Sequence, residues 1–251
     1  MEEGITNPPA EVALWHEEAL ARLDVSRGAS GRPVLSGSLA GRIENTVLSL
    51  GASDGDVARA CREARDFGMR GVCCLPRDVR RCRDLLGAGA QRVVTVVGFP
   101  LCGGCAGAAA REGRRAVEDG ADELDMVIDV RSLRAGELAR CRDLVAEVVD
   151  AAAGRPVKVI LETGLLTERE AVWGATAAEA GGAAFVKTCT GFGPRGATLE
   201  DVRLLRAAVG ERMGIKAAGG IRDHAFASAL VDAGADVLGA SNGLACLGKD
   251  D

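Results

Sequence analysis

The sequence predicts an α/β fold: a (β/α)8 TIM barrel with an N-terminal extension and a shortened final helix. Three observations carry that expectation. Eight short β-like runs alternate with amphipathic helical stretches roughly every 25–30 residues, the rhythm of parallel strands with helical crossovers. Polar residues interrupt the apolar runs at Asp125, Lys158, Lys187 and Lys216, which is tolerable where a side chain points into a barrel near its mouth. An open doubly wound sheet is the competing architecture; the count of eight favours the barrel, and no GxGxxG follows the first run.

Taken in order, residues 1–40 read as the extension, with helical spacing in EVALWHEEALARL and a loop in SRGASGRPVLSGS. The barrel then occupies 41–251. Strands are expected at 42–48, 71–75, 92–99, 123–129, 157–162, 183–188, 214–218 and 235–240. Helices are expected between them at 54–67, 77–87, 106–119, 137–153, 167–180, 198–210 and 222–233, several ending in the Gly that best closes a helix. SNGLACLGKDD stops soon after the eighth run, so the eighth helix is nearly missing.

Composition narrows the function. A chain of 251 residues suits one barrel and buries roughly 70–75% of its unfolded surface, with no need of a disulfide or metal staple. The net charge of −5 is the opposite of what a duplex binder carries, and 3% aromatics with no Tyr disfavour a stacking surface for single strands. No nucleic-acid partner is therefore expected. Nor is a membrane partner: no apolar run reaches the roughly 18 residues of a span, and the acidic start is unlike a signal peptide. Nine Cys without an export signal point to reduced thiols and a cytoplasmic location. With only His16 and His224, both in expected helices, a His-based metal site is nearly excluded, and no metal or cofactor is expected.

Lysine usage is more telling. The chain has four Lys (Lys158, Lys187, Lys216 and Lys249) against 27 Arg, and the first three fall in strand-like segments. Lys187 closes the sixth run and Lys216 is expected at the end of the seventh, so the two can meet over the barrel mouth. An amine is nucleophilic only when unprotonated, and a second ammonium with partial burial lowers its pKa toward neutrality. Arg cannot substitute, since its pKa is too high and it forms no Schiff base. The bland alternative is a pair of snorkelling lysines.

Asp125 lies mid-strand among Leu124, Met126 and Val127, and a buried carboxylate needs a cation. Lys216 is the natural partner, either as a proton relay or as a structural ion pair. Two glycine loops follow the seventh and eighth runs, AAGGIRD and GASNG. Gly219, Gly220, Gly239 and Ser241 allow close backbone approach to a phosphate, where barrel enzymes often bind one; simple turn geometry is the alternative. Arg195, after Pro194 in the loop following the sixth run, could reach the same anion or be a solvated loop residue. Cys102 and Cys105 have redox spacing without a thioredoxin-like context, and read as incidental loop thiols.

The segments VVTVVGFPL, GADELDMVIDV, VKVILETGLLTE, AAFVKTCTGFG, GIKAAGGIRD and GASNGL resemble deoxyribose-phosphate aldolases in order and spacing, over roughly residues 43–245. The resemblance implies a metal-free class I aldolase of deoxyribonucleotide catabolism. It would cleave 2-deoxy-D-ribose 5-phosphate reversibly to acetaldehyde and D-glyceraldehyde 3-phosphate. It implies Lys187 as the Schiff-base residue, Lys216 as the lysine that perturbs it, and Asp125 as the partner in proton transfer. Lys158 matches a lysine beneath the site and Cys73 a cysteine near the substrate pocket. Thr188, Thr190 and Gly191 fall with the substrate, while Gly219, Gly220, Gly239, Ser241 and Asn242 match phosphate-loop positions. Barrels of this kind often form dimers, so a homodimer is among the expected assemblies.

Three departures stand out. Glu44-Asn45-Thr46 replaces the usual Asp-His-Thr, Arg195 stands where small residues are usual, and a C-terminal tail, sometimes ending in Tyr, is missing. They leave open a specialised aldolase acting on another aldehyde pair in a biosynthetic pathway. A non-catalytic barrel that only binds is the third reading.

Overall fold

The computed structural model describes residues 9–23, 37–102 and 104–248. Lys249 and most of the loop expected at 26–38 lie outside the described residues.

After helix α1 (Pro9–Leu23), the chain runs β1 (Ile43–Val47), α2 (Asp54–Asp66), β2 (Gly71–Cys74), α3 (Val79–Leu86), β3 (Arg92–Val97) and α4 (Ala106–Glu118). It continues through β4 (Glu123–Val127), α5 (Val130–Arg134), α6 (Leu138–Ala151), β5 (Val157–Ile160), α7 (Glu168–Ala180) and β6 (Phe185–Lys187). It closes with α8 (Leu199–Val209), β7 (Gly214–Ala218), α9 (His224–Asp232), β8 (Val237–Ala240) and the four-residue α10 (Gly243–Cys246). The strands pair in parallel and in chain order, and β8 returns to β1 to close the barrel. All eight expected strands are present, and so is the stunted last helix.

Local chemistry sets the boundaries. Ser53, Thr167 and Thr198 each form a capping box with the acidic residue three positions on, starting α2, α7 and α8. Several strands end earlier than expected, because the backbone turns away: Glu162 and Gly98 both have positive φ, 58° and 63°. Helix α5 was not expected. Its five residues are too few for periodicity, and it is nucleated by Asp129, whose side chain accepts the Ser132 N–H.

Side chains alternate along each strand, so the barrel has two interiors. Outward residues such as Val93, Leu124, Val159, Val186 and Ile215 join the helices in the main apolar core. Inside the lumen Leu48, Cys73, Val94 and Val96 form a small apolar cluster, supported by Leu75 and Phe99. Beside it lies an ionic group, whose Lys158 Nζ sits 5.7 Å from the centroid of the Phe185 ring.

Helix α1 lies over α7. His16 Nδ1 is 2.8 Å from Thr176 Oγ1, and Arg22 and Arg169 stack on Trp173 at 4.5 and 4.8 Å from its centroid. Residues 171–179 of α7 are consequently all buried. Val12 and Leu23 are buried as well, and each such side chain contributes about 1.5–3 kcal/mol. Deleting residues 1–36 is expected to lower the unfolding free energy by about 3 kcal/mol or more and to shift Trp173 emission to the red. An unchanged denaturation midpoint would show that α1 is dispensable for the barrel.

Candidate active site

The lumen alternation brings together Glu44 from β1, Glu123 and Asp125 from β4, Lys158 from β5, Lys187 from β6 and Lys216 from β7. Arg70, just ahead of β2, joins them from below. Its guanidinium reaches Glu44 Oε1 at 2.5 Å and Glu123 at 2.6 and 3.0 Å. Lys158 Nζ lies 2.7 Å from Glu123 Oε2 and 2.9 Å from Asp125 Oδ1. Lys216 Nζ donates to Glu44 Oε2 and, at 2.6 Å, to Asp125 Oδ2. Lys187 Nζ shares that same Oδ2 at 2.9 Å. Four cations thus surround three carboxylates, and the fully ionised group carries a formal +1.

Burial alone would neutralise these groups, but their partners outweigh it. Burial pushes Asp125 up, yet Lys158, Lys187 and Lys216 together hold its carboxyl well below the usual range. Glu44 is lowered in the same way by Lys158, Lys216 and Arg70. Glu123, opposed by burial and favoured by Lys158 and Arg70, falls to about 2. For Lys216, burial acts downward, but Asp125 and Glu44 raise it above an ordinary lysine. Lys216 is therefore a fixed cation.

Lys187 and Lys216 are register partners across β6 and β7. Lys187 is the last residue of its strand, as expected. Lys216 is the third of five in β7 rather than at its end, so it approaches Lys187 from within the lumen. Its stem passes Gly239, where a Cβ would come within 3.1 Å of Lys216 Cε. Asp125, expected to pair with Lys216, holds all three strand lysines.

A cavity of about 850 Å³ opens above Lys187, at the C-terminal ends of the strands. Of the residues singled out in the sequence, Lys187, Thr190, Gly191, Gly219, Gly220, Gly239 and Ser241 line it. Five others do not. Thr188 is buried in the wall, its hydroxyl donating to the Ala218 carbonyl and accepting the Ala218 N–H. Lys158 and Cys73 lie beneath the floor, both fully buried. Asn242 caps α10 by accepting the Ala245 N–H, and opens instead onto an adjoining polar pocket. Arg195 is committed to both oxygens of Asp201 and to the Thr163 carbonyl.

Two cations outside the expected site residues do line the cavity, Arg59 on α2 and Arg222 after the Gly219–Gly220 pair. Arg222 was within reach of the motif, two residues past the glycines; Arg59 carries no local signal. Glu162 was also missed. Its Oε2 accepts from the Thr190 N–H and hydroxyl, fixing the loop after β6. Among the described residues, the three potential metal-ligand atoms that converge belong to Glu44, Cys73 and Asp125, and both carboxylates are already engaged by lysine ammonium groups. Burial pushes the Cys102 thiol up, against any role as a reactive thiolate.

A pocket at the C-terminal mouth of an eight-stranded barrel, floored by a buried amine, defines a (β/α)8 barrel enzyme. The comparisons specify which. Residues 41–250 match the family model of the DeoC/LacD family aldolases, and the chain belongs to that family. It is an aldolase, a lyase of carbon–carbon bonds. It is 44% identical over 207 residues to the deoxyribose-phosphate aldolase of Methanothermobacter thermautotrophicus, covering 82% of this chain and 92% of that one. It is 42% identical to the Carboxydothermus hydrogenoformans protein of the same name, covering 85% and 96%. Among solved structures, the tetrameric deoxyribose phosphate aldolase from Aeropyrum pernix superposes with a TM-score of 0.78 at 31% identity, over 92% of this chain and 94% of that one.

Proposed function

We propose that the protein cleaves 2-deoxy-D-ribose 5-phosphate reversibly to acetaldehyde and D-glyceraldehyde 3-phosphate, through a Schiff base on Lys187. The observation that carries this is the placement of Lys187 alone among the three lumen lysines at the cavity, beside the fixed cation Lys216. The unprotonated Lys187 amine adds to the C1 aldehyde of the open-chain sugar, and water leaves to give an iminium. A proton leaves the C3 hydroxyl, the C2–C3 bond breaks, and its electron pair enters the iminium to form an enamine. Glyceraldehyde 3-phosphate departs. Protonation at C2 and hydrolysis then release acetaldehyde and restore the amine. The iminium is the electron sink, so the route requires no metal. Asp125, with a water, carries the protons, because one of its oxygens touches both amines, while Lys216 supplies the positive charge that faces Lys187.

At the other end, the turns at Gly219–Gly220 and Ser241 supply backbone N–H groups for the phosphate, and Arg222 supplies a guanidinium in place of Arg195. The residues that prompted a different aldehyde pair do not touch the cavity. Glu44 belongs to its ionic floor, Asn45 points into the helix layer and Arg195 is held by Asp201. A cytoplasmic setting is supported by nine free cysteines, and sedimentation would distinguish the expected homodimer from a tetramer.

The test is a retro-aldol assay on deoxyribose 5-phosphate beside deoxyribose. A charged hydrogen bond to phosphate is worth about 1.5–3 kcal/mol, so kcat/KM should favour the phosphorylated sugar by at least roughly 10- to 150-fold. Turnover is expected to survive EDTA, because ammonium groups occupy the carboxylates that could hold a metal. Loss on chelation with recovery on zinc would replace the Schiff-base reading.

A further inference from the structure

We infer that Asn45 is a positioning residue for phosphate recognition, clamping both ends of the turn after β8 that carries Ser241. The inference rests on the proposed phosphorylated substrate. Asn45 sits in the middle of β1 and is buried, its side chain leaving the barrel on the helix side. Its backbone is the register partner of Ala240, the last residue of β8. Its side chain reaches past the turn, where Oδ1 accepts the Gly243 N–H at 3.1 Å. One residue therefore fixes the chain immediately before and after Ser241 and Asn242.

The amide is itself held from behind. Nδ2 donates to Glu63 Oε2 at 2.8 Å and to the Ala60 carbonyl at 3.4 Å, both on α2. This sets the orientation, since a flipped amide would face an N–H with its NH2 and a carboxylate with its oxygen. Gly243 is closed in from the other side: a Cβ there would meet Met69 Sδ at 3.0 Å and Asn45 Oδ1 at 3.1 Å. Ser241 lines the cavity two residues before this anchor. An anion site made of backbone N–H groups depends on where the backbone is held, since donors a few tenths of an ångström out of place lose strength. Asn45 touches none of the groups assigned to bond making or breaking, so its influence falls on the phosphate end alone.

The experiment compares kcat and KM for deoxyribose 5-phosphate and for deoxyribose, with the Kd of inorganic phosphate from titration calorimetry as an activity-independent view of the anion site. Asn45→Ala is expected to raise KM for the phosphorylated sugar and Kd for phosphate about ten-fold, the size of one lost buried hydrogen bond. Rates on deoxyribose, and borohydride trapping of acetaldehyde on Lys187, should stay within about two-fold. Asn45→Asp combined with Glu63→Gln keeps an oxygen toward Gly243 and reverses the second bond, and should restore KM and Kd; Asn45→Asp alone, set against Glu63, should not. If Asn45→Ala does not fold, that pair of variants decides by the same comparison. Equal losses on both sugars, or no change on either, would overturn the inference. A wild-type enzyme that does not cleave deoxyribose 5-phosphate would instead overturn the proposed substrate, and the phosphate Kd would still report on Asn45.

Discussion

Lys187→Arg is expected to reduce turnover to background while leaving a folded, positively charged barrel. Arginine conserves the formal charge of the lumen group, so the carboxylate of Asp125 keeps a partner. What it removes is an amine able to lose its proton and condense with an aldehyde. With the wild-type protein, acetaldehyde and borohydride should leave one ethyl group on Lys187, located by peptide mapping; with the variant, none. Lys158 and Lys216 are fully buried and paired with two or more carboxylates, which keeps them protonated and out of reach. Ethyl groups on either of those residues, or an active enzyme without any adduct, would sink the covalent mechanism.

Asp125→Asn should be nearly as damaging, on two counts. General acid–base groups typically contribute 10²- to 10⁴-fold, and a drop in kcat of about that size is expected. Stability should fall too. The substitution raises the formal charge of the buried group from +1 to +2 and leaves three ammonium groups around a neutral amide, a change of the kind that costs about 3–5 kcal/mol. The pH dependence follows from the signs. In the wild type, Asp125 is lowered from its ordinary 3.8, so its contribution is complete above that value and is lost only as pH falls through the depressed one. Lys216 is raised from 10.5, so its contribution is complete below that value and is lost only as pH rises through the elevated one. The lumen group therefore gives a plateau between about pH 4 and pH 10. In the variant, crowded lysines bind protons less well folded than unfolded, so its stability should rise from pH 7 toward pH 10. Urea unfolding at both values checks this. A folded Asp125→Asn protein with near-normal kcat would reduce Asp125 to a structural counter-ion.

Much of this was legible from the residues. Lysines are so rare in an arginine-rich chain that three of them in strands already mark the lumen, and the period-2 alternation at Asp125 and Lys187 indicates which face they take. The lower ionic tier was not legible. Glu44, Arg70 and Glu123 come from three separate segments, and only strand register brings them to Lys158. Loop side chains were the weakest ground. Arg195 and Asn242 sit at plausible positions for an anion, but each has a local acceptor or donor, Asp201 or the Ala245 N–H, that captures it first. Arg59 reaches the cavity from a helix, a contact that exists only once β1 and α2 have packed.

The register pairing of Lys187 with Lys216 has a bearing on how this enzyme can change. Both amines, and the carboxylate between them, are set by main-chain ladders inside the barrel wall, whereas Thr190, Gly220, Arg222 and Ser241 stand on connecting turns. Reactivity and selectivity are thus encoded in separable stretches of chain. Drift or deliberate grafting in the turns can move the enzyme to new acceptor aldehydes in small steps, each intermediate retaining the amine chemistry. A change of catalytic chemistry has no such gradual route, because removing any one of the charges in the wall unbalances a group of seven at once.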